Sequence, residues 1–154
     1  MADETRTARK DKSKTPASLA GAPAPLGAYS HARVAGNLLY LAGQGARDAN
    51  TGVEVGVTLD DSGKITGYDI KAQTHAVIKN MTTVLHAYGL DLTNLVDVSV
   101  FLANMDDFSS FNSVYSEYFT FPEPPTRTTI QAARLPGRNF IEIKAIALMG
   151  KEND

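Results

Sequence analysis

The segment Ile141 to Ala147, IEIKAIA, sets Ile141, Ile143, Ala145 and Ala147 at every second position and leaves Glu142 and Lys144 between them. Side chains two apart in a strand share a face, so this run has one apolar face made to be buried and one face that carries charge. Just upstream, PPTRTTIQAARLPGR reads as a further strand opened by Arg127, joined to the last one by a turn at Leu135-Pro136-Gly137-Arg138. On that reading Arg127 and Glu142 stand on neighbouring strands. A fixed guanidinium beside a carboxylate is what is needed to hold an anionic substrate and move a proton next to it. The competing reading is a structural ion pair, Arg127 with Glu142 or Glu142 with its same-face neighbour Lys144.

Periodicity assigns the remaining elements. HARVAG and LLYLAGQG form a hairpin around Gly36-Asn37, and VEVGVTLDDSGKITG is a short strand with an extended loop or a second hairpin. From Asp69 to Tyr88, Ile70, Val77, Ile78, Met81, Val84 and Leu85 recur at helical spacing, with Gly89 as the stop. LVDVSVFL, Leu95 to Leu102, alternates as a strand. A second helix, Asp106 to Phe119, begins with acids and stacks Phe108, Phe111, Val114, Tyr115 and Tyr118 on one face. The order ββ(β)αβαββ describes an α+β protein of two layers, a mixed sheet with two helices on one face. Its other face, partly apolar, is expected to be buried against further subunits.

Composition narrows the functions. The 154 residues suit one domain, and a net charge of -2 argues against a nucleic-acid surface. No apolar run reaches the roughly 18 residues that a membrane span requires. There is no cysteine, which removes disulfides, thiolate nucleophiles and Cys-ligated zinc, and fits a cytoplasmic setting. Residues 1–22 are polar, charged and free of aromatics, the mark of a flexible tail without a secretory apolar core, ahead of one domain over 23–150. His31, His75 and His86 lack metal-ligand spacing. Gly43-Gln44-Gly45 lacks the third glycine of a dinucleotide loop and reads as a turn, and the serines of the second helix sit in no nucleophile elbow.

Six segments in order, PLGAYSHA, GNLLYLAGQ, TGYDIKAQTHAVIKNMTTVL, NLVDVSVFLANMDDFSSFNSVYSEYF, PPTRTTIQAARLP and IEIKAIA, resemble the RidA (YjgF) family of imine and enamine deaminases. The resemblance runs from about Ala24 to Ala147. It implies a chorismate-mutase-like fold, a homotrimer with sites between subunits, and hydrolysis of imino or enamino carboxylates to 2-oxo acids and ammonia without metal or cofactor. The family's carboxylate-binding arginine falls on Arg127, its catalytic glutamate on Glu142 and its pocket tyrosine on Tyr29. Gly43, Asn112 and Thr129 fall at substrate-binding positions. At Ala42 this chain lacks the serine that the family often has, and with it any hydrogen bond from that hydroxyl.

The longer VGVTLDDSGKITGYDI segment, and Lys144 where many members have a second glutamate, resemble the 2-aminomuconate deaminase branch. That branch implies a dicarboxylate substrate, converted to 2-oxohex-3-enedioate in aminophenol or tryptophan breakdown. Lys144 is the first candidate for the second carboxylate, with Arg134, Arg47 and Arg138 behind it. The alternatives are a general 2-imino acid deaminase and a binding, regulatory or chaperone-like member without catalysis.

Overall fold

The computed structural model describes residues 19–150. The strands are β1 (Ala32–Ala35), β2 (Leu38–Gln44), β3 (Val57–Leu59), β4 (Ile65–Tyr68), β5 (Leu95–Leu102), β6 (Thr126–Gln131) and β7 (Ile141–Leu148), with helices α1 (Ile70–Ala87) and α2 (Phe108–Tyr118). Five strands form one mixed sheet in the order β1-β2-β7-β5-β6, and β3 and β4 form a separate hairpin. The expected second hairpin is therefore present. Most of the expected tail lies outside the described residues, while Leu19 and Ala22, both within the expected tail of residues 1–22, are buried in the core.

Connectivity explains the order. Helix α2 links β5 to β6, which pair in parallel, because a parallel neighbour needs a crossover that a tight turn cannot supply. Helix α1 links β2 to β5, and β7 fills the gap between them, antiparallel to both. This placement corrects the first expectation. β6 and β7 are not neighbours, because β5 runs between them, so the Leu135-Pro136-Gly137-Arg138 loop is a connection across β5 and not a hairpin turn. The strand with the most regular apolar face takes the central position, where both edges are paired.

Ile141, Ile143, Ala145 and Ala147 of β7 face the helices and are buried with Leu39, Leu41, Val98, Val100 and Leu102. Every apolar position read as the inner stripe of α1 is buried as well. Asp69 caps that helix through its carboxylate, which accepts from the Lys71 and Ala72 amides, and Gly89 leaves it at φ +72°. The acids expected to open α2 belong instead to a short 3-10 turn, Met105–Asp107, ahead of it. Asp107 is held there by the Tyr68 hydroxyl, which donates to its Oδ2 at 2.6 Å, while the Tyr68 ring stacks on Phe140 at 3.6 Å between centroids. Tyr68 thereby fastens the β3–β4 hairpin to the body of the protein.

Three polar residues of α1, Gln73, Thr74 and Asn80, are buried beside the apolar stripe. Gln73 uses its whole amide: Nε2 donates to the carbonyls of Val55 and Arg138, and Oε1 accepts from the Phe140 amide. Asn80 donates to the carbonyls of Gly45 and Arg47. The two amides tie the loops after β2 and before β7 to the helix. Replacing Gln73 by Leu keeps its bulk but strands two carbonyls and one amide, and is expected to lower unfolding free energy by about 2–4 kcal/mol in urea titration.

Candidate active site

Register divides the sequence-derived residues between two faces of the sheet. Arg127 and Thr129 pair with Val98 and Val100 of β5, whose side chains are buried toward the helices, so they face the helices too. Glu142 pairs with Phe101, one position out of phase, and faces the open side of the sheet with Lys144. Arg127 and Glu142 thus stand two strand spacings apart across the sheet, about 10 Å, are offset further by three residues along β5, and lie on opposite faces of the sheet. They form no ion pair with each other, and both the neighbouring-strand arrangement and the structural pair are set aside.

The arginine half lies under α2. The guanidinium carbon is 4.6 Å from the ring centre of Tyr115, 5.4 Å from Phe111 and 5.7 Å from Phe108, within cation–π range of all three. Nη1 donates to Asn112 Oδ1 at 2.8 Å. Asn112 is therefore satisfied by a side chain rather than by backbone, and the helix supplies both a slab for the fork and a stop that fixes its rotation. Two buried hydroxyls, Thr129 Oγ1 and Tyr115 Oη, have no hydrogen-bond partner among the described residues. Burial pushes the Tyr115 phenol up to about 12, with Arg127 pulling the other way, so it stays protonated and able to donate.

The glutamate half lies at the end of β2. Glu142, Gly43, Tyr29, Arg47 and Asn139 line a cleft of ≈ 330 Å³. Gly43 is not in a turn: β2 continues to Gln44, and a register shift between Leu41 and Gln44 brings Gly43 against Glu142. A Cβ at Gly43 would collide with the Glu142 carboxylate, and one at Gly45 would collide with the Asn139 amide. Those two glycines are the space in which the carboxylate and the amide sit. Asn139 accepts from the Ala46 amide at 2.7 Å and donates to Pro136 O at 2.8 Å, which closes the cleft floor. Burial raises the Glu142 pKa above the ordinary glutamate value, and no cation offsets it. Arg127, on the other face of the sheet, does not oppose that shift.

Tyr29 is 49 % exposed at the cleft rim, its hydroxyl accepting from the Leu26 amide at 3.3 Å. Lys144 is exposed on the face of Glu142 but does not line its cleft, and Arg47 does. Of the histidines, His75 and His86 are exposed on α1, whereas His31 is buried with Nε2 2.7 Å from Pro23 O. Sequence reading treated Phe108, Phe111 and Tyr115 only as a core stripe. Their second role as the bed of Arg127 was hidden because β6 reaches α2 only through the parallel crossover.

The model of the family described as endoribonuclease L-PSP matches residues 19–149. A RutC family protein of Pyrococcus horikoshii is 41 % identical over 82 % of this chain and 90 % of its own. The human protein named 2-iminobutanoate/2-iminopropanoate deaminase is 34 % identical over 86 % of this chain and 88 % of its own. The structure of YyfA, a Rid family protein from Yersinia pestis, superposes with a TM-score of 0.76 at 30 % identity, covering 86 % of this chain and 97 % of its own. The chain belongs to the L-PSP, or reactive-intermediate deaminase (RidA), family.

Two outcomes test the glutamate half. Gly43→Ala is expected to displace the Glu142 carboxylate and lower turnover at least tenfold, with the cooperative unfolding transition retained in circular dichroism. A carboxyl whose pKa is raised by folding favours the folded state below its unfolded pKa, and that advantage is lost as pH rises through the folded value. Glu142→Gln is therefore expected to flatten the decline of stability between pH 4 and neutrality, read from denaturation midpoints at each pH.

Proposed function

We propose that the protein is a hydrolytic deaminase of small 2-imino and 2-enamino acids, its site assembled from the arginine half of one chain and the glutamate half of another. One observation carries this reading: the guanidinium and the carboxylate occupy opposite faces of one sheet, so a small substrate reaches both only where two chains meet. A head-to-tail contact in which each arginine half meets the next chain's glutamate half closes as a ring, and three copies, a homotrimer, is the assembly proposed. Tyr40, exposed at 41 % on the open face, and the half-buried Ile146 and Leu148 beside it offer apolar surface for such a contact.

The chemistry follows from the two halves. The Arg127 fork takes the substrate carboxylate in two parallel hydrogen bonds, a geometry that lysine cannot reproduce. Thr129 and Tyr115 bring unpaired hydroxyls to the same half. An enamine first gains a proton at carbon and becomes the imine. Glu142, its proton affinity raised by burial, takes a proton from water while the oxygen adds to the imine carbon. That proton passes to nitrogen to give the carbinolamine, Glu142 then moves the hydroxyl proton to the amine as the C–N bond breaks and the carbonyl forms, and a 2-oxo acid and ammonia leave with one water consumed. Tyr29 at the rim orients the water or the departing amine. These proton transfers and the addition of water use no metal or organic cofactor.

The name of the human relative supports the general imino acid reading. Within it, 2-aminomuconate is the narrower reading, and Arg47, which lines the Glu142 cleft, favours a substrate with a second carboxylate. A non-catalytic binding protein is the competing class. The family's description as an endoribonuclease finds less support in a chain of net charge -2.

Ammonia release from 2-iminopropanoate, generated by an amino acid oxidase, is expected to accelerate with wild type and to fall at least about a hundredfold in kcat/KM for Arg127→Ala and for Glu142→Gln. Co-refolding those two inactive variants is expected to restore about a quarter of wild-type sites, since a shared site needs only one intact residue from each contributor. No restoration in a mixture of proven hetero-oligomers places both residues in one chain's site. A wild type that adds nothing to the spontaneous rate favours the binding protein.

A further inference from the structure

Behind the Glu142 cleft lies a second, far smaller cavity of ≈ 30 Å³, space for one or two water molecules and too little for an imino acid. Its walls hold His31, Gln44 and Asn80, three of the five polar side chains buried among the described residues. Tyr29, Gly43, Gly45 and Arg47 line both this chamber and the cleft, so the two stand back to back. Strand geometry explains the division. Gly43 presents a bare Cα to Glu142 on the open face, whereas Gln44 pairs with Ile143, whose side chain is buried toward the helices, and so faces inward.

The polar side chains of the chamber are held as acceptors, with one cation beside them. Gln44 Nε2 donates to Ala42 O at 3.0 Å, and Asn80 Nδ2 donates to Gly45 O at 3.0 Å and Arg47 O at 2.8 Å. Gln44 Oε1 and Asn80 Oδ1 are left as acceptors. His31 Nε2, 2.7 Å from Pro23 O, carries the proton that this carbonyl accepts, so Nδ1 is an acceptor as well and has no partner among the described residues. Arg47 donates from Nη2 to Ala24 O, which uses one of its five N–H groups. Buried acceptors cost stability unless a donor reaches them. Water is the molecule of this size that donates to amide oxygens and accepts from a guanidinium. An ammonium ion of similar size accepts nothing and is repelled by Arg47.

We propose that the chamber is the seat of an internal water that supplies the hydrolytic water to Glu142 while a substrate fills the cleft. The inference rests on the deaminase reading and adds to it the source of the water. Each turnover consumes one water at a carbon whose open side the substrate itself crowds. A water held behind the Gly43–Gly45 backbone reaches Glu142 without passing the substrate, and the missing side chains of those two glycines keep the partition thin. Gln44 and Asn80 are then positioning residues, acting on the reaction through the water they hold.

The experiment joins a high-resolution crystal structure with 2-oxobutanoate in the cleft, deuteron relaxation dispersion of the solvent, which registers long-lived internal waters, and steady-state deamination of 2-iminobutanoate. Wild type is compared with Gln44→Met, which keeps the length of the side chain and removes its acceptor. Wild type is expected to hold an ordered water within hydrogen-bond reach of Gln44 or Asn80, and Gln44→Met to lack it. The variant is expected to lose about tenfold in kcat, with KM and affinity for 2-oxobutanoate unchanged. Loss of the water at undiminished turnover overturns the supply role. So does a joint fall of kcat and affinity, since Gln44 then only braces the β2 backbone through Ala42. The wild-type measurements decide even where the variant fails to fold: a dry chamber in a protein that deaminates sinks the inference alone and leaves the deaminase standing. A wild type that holds the water and does not deaminate sinks the deaminase reading, and the supply role with it.

Discussion

The double pairing of β7 is the interaction on which the rest depends. Entering last, it inserts between β2 and β5 and satisfies its backbone on both edges. Only then do the two strands linked by α1 belong to one sheet. The same strand sends Ile141, Ile143, Ala145 and Ala147 into the core and Glu142 to the open face. A register slip of one residue would exchange these sets, burying two charges in the core and exposing four apolar side chains. The position of the candidate acid/base is therefore fixed by the burial of its neighbours. Gly43 completes the fit, since the bulge of β2 lets a residue without a side chain stand opposite the carboxylate.

Much of this was legible in the chain. Alternation in β7 and the stripe of α1 are strong local signals, and each matched the buried residues position by position, while β5 alternates only from Val98, because a register shift between Leu95 and Asp97 buries Leu95 and exposes Val96. Asp69 and Gly89 ended α1 as cap chemistry predicts. What local pattern does not encode is strand order. Placing Arg127 beside Glu142 assumed that strands joined by a Pro-Gly loop pair with each other, a rule for hairpins that fails where a parallel crossover has already occupied one side of β5. The buried amides of Gln73 and Asn80 were equally hidden, because their partners are carbonyls of loops remote in sequence. The cation for a second carboxylate was sought by period two along β7 and fell on Lys144. Loop geometry, which no period describes, puts Arg47 in the cleft instead.

The residues that resemblance assigned fall into two groups, on opposite faces of the sheet. Arg127, Asn112 and Thr129 gather on one side with Tyr115, and Glu142, Gly43 and Tyr29 on the other. Each set is coherent as half of a site. Neither contains what the other supplies.

The separation has an electrostatic use. A guanidinium in contact with a carboxylate lowers the carboxyl pKa and is itself neutralised, which would spoil both as catalytic parts. On opposite faces, Glu142 feels burial alone and holds a raised proton affinity, while Arg127 spends its charge on aromatic faces and one amide oxygen. Under the shared-site reading the two approach only when chains assemble, and a substrate carboxylate then takes up the arginine's charge. On that reading the substrate, by neutralising Arg127, would preserve the basicity of Glu142 at the moment water must be deprotonated. A ligand without that carboxylate would leave the guanidinium free to draw on Glu142, so selection for an acid and activation of water become one requirement.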